Sequence, residues 1–280
     1  MLRTAPVRVL DDRDLSAVLE ALHRDPVANV FVQSRVEAVG LQPWRLGAEL
    51  WGYQSDGLLT GLAYAGANLV PICGDDRALR AFADRARRQG RRCSSIVGPA
   101  GLVGPIWSAL QDAWGPGRDV RPCQPLMVAD VVPDVAPDAG VRRVRPDEID
   151  VLLPASIAMF TEEVGVSPIA GDGGTLYRSR VAELVQAGRS FARIDDGRVV
   201  FKAEVGAVTA AACQIQGVWV APELRGRRLS VAGMAAVVTE CLASIAPAVS
   251  LYVNDYNAPA RRAYERVGFR QVGSFMSVLF

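Results

Sequence analysis

Two stretches of this chain begin alike. Val7 to Leu10 runs into Asp11-Asp12-Arg13-Asp14, and Val141 to Val144 runs into Arg145-Pro146-Asp147-Glu148. Each reads as a short strand entering a helix whose first turn is acidic, where the helix dipole favours negative charge. Between them lies Val132-Pro133-Asp134-Val135-Ala136-Pro137-Asp138-Ala139-Gly140, which has no apolar period and the composition of a linker. The sequel to each start also repeats. After the first come a helix carrying Leu15, Val18, Leu19 and Leu22, and strands near 48–53, 58–64 and 67–72. A helix with Leu79, Phe82, Ala83 and Ala86 on one face follows, then a strand at 93–97 and a helix near 102–113. After the second come helices around 147–160 and 175–187 and strands at 190–194, 198–205 and 211–220. Helix 229–244, strand 248–254, helix 258–267 and strand 269–280 complete it. The turns Ser55-Asp56-Gly57 and Asp195-Asp196-Gly197 join hairpins at matching places. The pattern predicts a tandem of two related α+β domains, 1–131 and 141–280, joined by a linker at 132–140.

Bulk properties narrow the class. Half of the residues are apolar and 22% are charged, ordinary for a globular protein, and a net charge of +1 gives no electrostatic footprint for nucleic acid. No charge-free apolar run spans a bilayer; 229–247 comes nearest, but Glu240 and its helical period mark a core helix. Residues 1–9 lack the apolar centre of a signal peptide, so a cytoplasmic location is expected, without membrane partner. The five cysteines are scattered, no Cys-x-x-Cys occurs and His23 is the only histidine, so no metal is expected. Lys202 is the only lysine among 31 basic residues, which reads first as compositional bias.

The chemistry concentrates in the second half. Val218-Trp219-Val220 meets Ala221-Pro222-Glu223-Leu224, then Arg225-Gly226-Arg227-Arg228-Leu229-Ser230, then a helix with Val231, Met234, Ala235, Val238, Cys241, Leu242 and Ile245 on one face. Such a strand–loop–helix junction aims several backbone N–H groups at one spot, a ready site for phosphate. Downstream, Leu251 to Phe269 reads as a strand, an Asn257 cap with Pro259 in the first turn, a short helix and the stop Gly268. The equivalent junction of the first half is Cys73-Gly74-Asp75-Asp76, whose carboxylates would cap a helix but repel a pyrophosphate.

The pattern Val-x-Pro-x-x-Arg-Gly-x-x-Leu-Ser, followed by Leu-x-Val-x-x-x-Asn-x-x-Ala-x-x-x-Tyr-x-x-x-Gly-Phe, resembles the GNAT superfamily of acetyl-CoA-dependent N-acetyltransferases. The whole chain resembles two-domain members whose N-terminal half has no assigned activity. The resemblance implies two GNAT-like domains, each a mixed, mostly antiparallel central sheet flanked by helices, the first degenerate. It implies that the amides of Arg225, Gly226, Arg227, Arg228, Leu229 and Ser230 hold the acetyl-CoA pyrophosphate. Val218 and Val220 would offer backbone groups to the pantetheine arm where two strands splay, and Asn257 would bond the same arm. Tyr264 would return a proton to the departing thiolate, after direct attack by an amine on an acetyl carbonyl polarised by a backbone N–H. The usual loop has glycine where Arg228 stands and glycine or alanine at Ser230. Arg228 keeps its N–H and adds a cation, but its side chain also brings bulk.

Each of these residues has a plainer reading. Tyr264 shares a face with Ala260, Ala263 and Val267 and can be core; Asn257 can be only a helix cap. Glu204 is the first candidate for general base, or pairs with Lys202 two residues away on the same strand face. Glu162 and Glu163, expected between the first two helices of the domain, would draw a cationic acceptor amine or form a solvated turn. The reading is an N-acetyltransferase acting on a small-molecule or protein amine, with no metal, no nucleic-acid partner and an undefined oligomeric state. Its rivals are a non-catalytic CoA- or protein-binding module with a degenerate loop, and an aminoacyl transferase using charged tRNA.

Overall fold

A computed structural model of the chain describes residues 7–170 and 173–280. Its elements run β1 (Val7–Val9), α1 (Leu15–His23), α2 (Val30–Val39), α3 (Pro43–Leu46), β2 (Glu49–Ser55), β3 (Leu58–Ala65) and β4 (Asn68–Cys73). They continue with α4 (Asp76–Gln89), β5 (Ser95–Pro99), α5 (Ala100–Trp114), β6 (Asp119–Ala129), β7 (Val141–Arg143), α6 (Ile149–Val164) and α7 (Thr175–Gln186). The last are β8 (Ser190–Asp195), β9 (Arg198–Val208), β10 (Cys213–Val220), α8 (Leu229–Ser244), β11 (Val249–Tyr252), α9 (Ala258–Val267) and β12 (Arg270–Leu279).

The contacts divide the chain into two compact units that are not consecutive stretches. One takes the chain up to Leu126 together with Tyr252–Tyr256 and Gln271–Phe280; the other takes Met127–Leu251 and Asn257–Arg270. In the first unit the strand order is β1-β2-β3-β4-β5-β12-β6; the pairs from β1 to β4 and the pair β5–β12 are antiparallel, and β4 and β5 run parallel. Period-two alternation feeds both faces of this sheet. Leu50, Leu62 and Tyr64 pack with Val18, Leu22, Val32 and Val36 of α1 and α2, whereas Trp51 and Ala63 pack with Leu79, Phe82, Ala83, Ile106 and Leu110 of α4 and α5. The helical face expected for α4 is the buried one.

The second unit orders its strands β11-β10-β9-β8-β7, antiparallel except for the parallel pair β10 and β11. Its sheet too is covered on both faces. Leu152 and Ala155 of α6 and Val181 and Val185 of α7 pack on Ala192 and Val199. On the other side α8 buries Met234, Ala235, Val238 and Cys241, as its periodicity predicts. Gly233 is where that helix meets the sheet: a β-carbon there would lie 2.8 Å from the Phe201 ring. The architecture is α+β with mostly antiparallel sheets, as the sequence indicates. Two helices, α2 and α3, have no counterpart in the pattern read from the sequence. A third difference bears on the site: α6 runs on to Val164, so Glu162 and Glu163 sit in its last turn rather than in a loop.

Candidate functional site

The site grows from the parallel pair of the second unit. β10 matches β11 at only two positions, Cys213↔Val249 and Gln214↔Ser250, and then continues alone to Val220. Beyond Gln214 its outer edge is therefore an unpaired ladder. The direction of the backbone groups follows from alternation. Ala221 N–H bonds the Val200 carbonyl on the β9 side, so the groups of Val220 face the open edge. The Val220 carbonyl is indeed taken on that side, by Arg225 Nε at 3.1 Å. The strand is also bulged. Gln216 pairs Glu204 and Trp219 pairs Lys202, leaving Gly217 and Val218 opposite the single Ala203. Gly217 makes the bulge possible with φ +60°, a value that favours glycine.

After β10 the chain makes a short turn at Pro222–Leu224 and reaches the start of α8. The Arg225 amide is used up there, bonded to the Pro222 carbonyl at 3.3 Å. Gly226 has φ +79° and Arg228 φ +63°, so an arginine adopts the left-handed conformation expected of the glycine it replaces. For an L-residue that costs about 1 kcal/mol. Arg228 is the residue preceding the helix and gives it no side-chain cap. The N–H groups of Gly226, Arg227, Arg228, Leu229 and Ser230 find no acceptor among the described residues. An uncapped turn of this kind, at the positive end of a 16-residue helix, suits a bound anion. The side chains of Arg227 and Arg228 are exposed and make no ion pair among the described residues.

These elements enclose a cleft of about 430 Å³ lined by Val218, Val220, Gly226, Arg228, Ser230 and Asn257, and floored by Tyr264. Asn257 caps α9, its Oδ1 accepting Ala260 N–H at 3.3 Å, while its side chain stays exposed to the cleft. Tyr264 is 7% exposed, its ring edge-on to Phe269 with centroids 5.8 Å apart. Its hydroxyl has no hydrogen-bond partner among the described residues. Burial pushes the phenol above its ordinary pKa, and the charge of Glu163 adds to the rise. The ring of Tyr264 is thus core, and the residue also lines the cleft.

Glu162 accepts Arg225 Nη2 at 2.7 Å and Trp219 Nε1 at 3.3 Å, so it ties the loop before α8 to β10 and α6. Glu163 acts electrostatically on both Tyr264 and Tyr177. Glu204 is 5% exposed and pairs with the fully buried Lys202 at 2.6 Å. It does not line the cleft. The two-residue spacing noted in the sequence was the signal of the pairing. What the sequence concealed is that Lys202 also donates to the Gly217 carbonyl, at 3.1 Å. Among the described residues no group of three or more His, Cys, Asp or Glu could hold a metal, and no helix is long and apolar enough to cross a membrane.

The model of the acetyltransferase (GNAT) family matches residues 172–269, the stretch that carries the bulge, the loop and Tyr264. The C-terminal domain is a GNAT acetyltransferase domain. Residues 48–152 match a model described as a domain of unknown function, DUF4081. No curated protein matches the chain in sequence. Solved structures match it over nearly its whole length. A Drosophila protein is 12% identical with a TM-score of 0.65, covering 99% of each chain. A GCN5-related N-acetyltransferase from Sphaerobacter thermophilus is 16% identical with a TM-score of 0.58, over 97% of this chain and 93% of that one. A tandem GNAT protein from the clavulanic acid biosynthesis pathway is 18% identical with a TM-score of 0.57, covering 98% of each. At these identities the likeness is one of fold, and the fold is that of a GNAT domain preceded by a related one.

The first unit has a comparable junction with a different helix start. Its β4 and β5 also pair in parallel at two positions, Asn68↔Ser95 and Leu69↔Ile96. At the start of α4, however, Asp75 Oδ1 accepts Ala78 N–H at 2.9 Å. A carboxylate of the chain occupies the place where the GNAT domain leaves its amides open.

Proposed function

We propose that the GNAT domain transfers an acetyl group from acetyl-CoA to an amine, a small molecule or a protein amine. One observation carries this: the open amides from Gly226 to Ser230 sit at one end of a cleft whose wall is the unpaired edge of β10. The residues fit the cosubstrate. The amides and the α8 dipole suit a pyrophosphate, and the Arg228 guanidinium supplies a cation beside it. The edge groups of Val218 and Val220 suit an amide-bearing arm laid along them like a strand, with Asn257 opposite. A backbone N–H of the bulge polarises the acetyl carbonyl. The neutral amine attacks that carbon, the C–S bond breaks and the thiolate takes a proton from Tyr264, while the nitrogen sheds its extra proton to solvent, from which the phenol is reprotonated. A phenol held above about 10 stays protonated at neutral pH and donates to a thiolate whose ordinary pKa is about 8.5. Glu163, near Tyr264, attracts the acceptor as its ammonium and favours an amine over a carboxylate.

Calorimetry with acetyl-CoA tests the reading; no heat and no thermal shift at millimolar concentration would discard it. The buried pairing of Glu204 favours one alternative, a module that binds CoA without turnover. Binding with no thiol release across a broad amine panel would select that alternative.

A further inference from the structure

Thirty of the 31 basic residues are arginine, and the single lysine is the one that is fully buried. Compositional bias accounts for the thirty; it does not account for the exception. Lys202 Nζ lies 2.6 Å from Glu204 Oε1 and 3.1 Å from the Gly217 carbonyl oxygen. The space is tight: a β-carbon on Gly217 would sit 3.2 Å from Nζ, 3.3 Å from Glu204 Oε2 and 2.9 Å from Met159 Cε. A compact ammonium fits there, whereas a planar guanidinium with its fork of donors does not.

We infer that Lys202 is a positioning residue for acetyl transfer, acting through the peptide between Gly217 and Val218. In a trans peptide the C=O and N–H point in opposite directions. Fixing the Gly217 carbonyl on the ammonium therefore fixes the direction of Val218 N–H, away from Lys202. That N–H lies within the bulge, where Gly217 and Val218 have no partners in the β9 register, and Val218 lines the cleft. A positive charge on the carbonyl end of a peptide also makes its N–H a stronger donor, since hydrogen bonds in a chain polarise one another. Glu204 completes the device by holding the ammonium and cancelling its charge inside the sheet. Lys202 thus aims and strengthens Val218 N–H as the donor to the thioester carbonyl without touching the substrate itself. This rests on the acetyl-transfer reading, and the test separates the two.

The affinities of acetyl-CoA and CoA are compared by calorimetry, and the carbonyl stretch of bound [1-13C]acetyl-CoA is read by isotope-edited infrared spectroscopy. The wild type is expected to prefer acetyl-CoA about 5-fold, the size of one net hydrogen bond, with the carbonyl band below its position in buffer. In the double variant Lys202→Met/Glu204→Gln, which leaves no buried charge behind, the preference should vanish and the band should return toward its free position. CoA affinity should stay within about 2-fold, because the pyrophosphate loop is untouched. If that variant does not fold, Lys202→Gln alone, a weaker donor without the charge, is expected to reduce the band shift. A variant that binds acetyl-CoA with the preference and the band shift intact overturns the role of Lys202 and leaves the acetyl-transfer reading standing. A wild type that binds neither ligand overturns both.

Discussion

Tyr264 and Asn257 were legible as residues because each obeys a local rule: one sits at a helical spacing that buries it, the other caps the same helix. The charge that bears on Tyr264 was not, because Glu163 lies on a helix distant in sequence. Replacing Tyr264 by Phe keeps the ring packed on Phe269 and removes only the hydroxyl. Turnover should fall by about 100-fold or more, the usual worth of a general acid, with CoA affinity unchanged. The pH profile carries the sign. A phenol raised above 10 stays protonated until the pH passes that value, so Tyr264 contributes no loss of rate between pH 7 and 9.5. An alkaline limb near pH 8 that disappears in the variant would contradict this. The two neighbouring glutamates should separate in the same assay. Glu163→Gln is expected to raise the KM for a cationic amine several-fold, and Glu162→Gln to leave it unchanged. Glu162 and Arg225 are each nearly half exposed, so breaking their pair should cost under about 1 kcal/mol of stability. Equal KM effects from both variants would refute the division.

Among elements, the sharpest contrast is between the first turns of α4 and α8. The sequence showed it as Asp75 against Arg228, and the structure turns that into a filled cap and an open one. It could not show that Arg228 would keep the backbone conformation of the absent glycine, since only the tight return from the Pro222–Leu224 turn imposes φ +63°. Arg228→Gly should therefore stabilise the domain slightly, by up to about 0.5 kcal/mol in chemical denaturation, the relief of left-handed strain less the entropy glycine adds to the unfolded chain. A loss of stability would mean that the guanidinium packs the loop. The start of α6 makes a pH-dependent prediction. Arg142 grips Glu148 with two bonds of 2.7 Å, and Glu148 also accepts Arg145 N–H at 2.9 Å. These hold the Glu148 pKa down at about 2. A depressed carboxylate stabilises the fold above its unfolded value near 4.5 and loses that contribution as pH falls through 2. Glu148→Gln should cost about 1–2 kcal/mol at pH 7, allowing for solvent screening of the half-exposed Arg142. The gap from wild type should close between pH 4.5 and 2. The helices that escaped prediction, α2 and α3, show the limit of periodicity: α2 buries Val30, Val32, Gln33 and Val36, a set too β-branched and irregular to declare a helix.

For the whole molecule, the repeat was legible and the strand exchange was not. Alternating apolar residues in 270–279 mark a strand, but alternation names a face and never a neighbour. The neighbour is β5, which β12 meets in antiparallel register from Phe275↔Pro99 to Leu279↔Ser95. The chain after Arg270 thus belongs to the unit built mainly from its first 126 residues. Its contribution there is large. Phe275, Met276 and Val278 are buried, and the Phe280 ring lies edge-on to both Trp107 and Trp114 with centroids 5.8 Å apart. Ser277 Oγ donates to Gln124 Oε1 at 2.7 Å in the interior. At about 1.5–3 kcal/mol per buried side chain, the three apolar residues of β12 match the whole stability of a typical domain, about 5–15 kcal/mol. Stopping the chain after Arg270 leaves the Arg225–Ser230 loop, Tyr264 and every other cleft residue in the chain. It should nevertheless unfold the first unit: cooperative thermal melting is lost there, and the β5 edge becomes open to proteolysis and aggregation. A truncated protein that melts within a few degrees of the full chain would show that β12 is an ornament of that sheet and that the first unit stands on β1 to β6 alone.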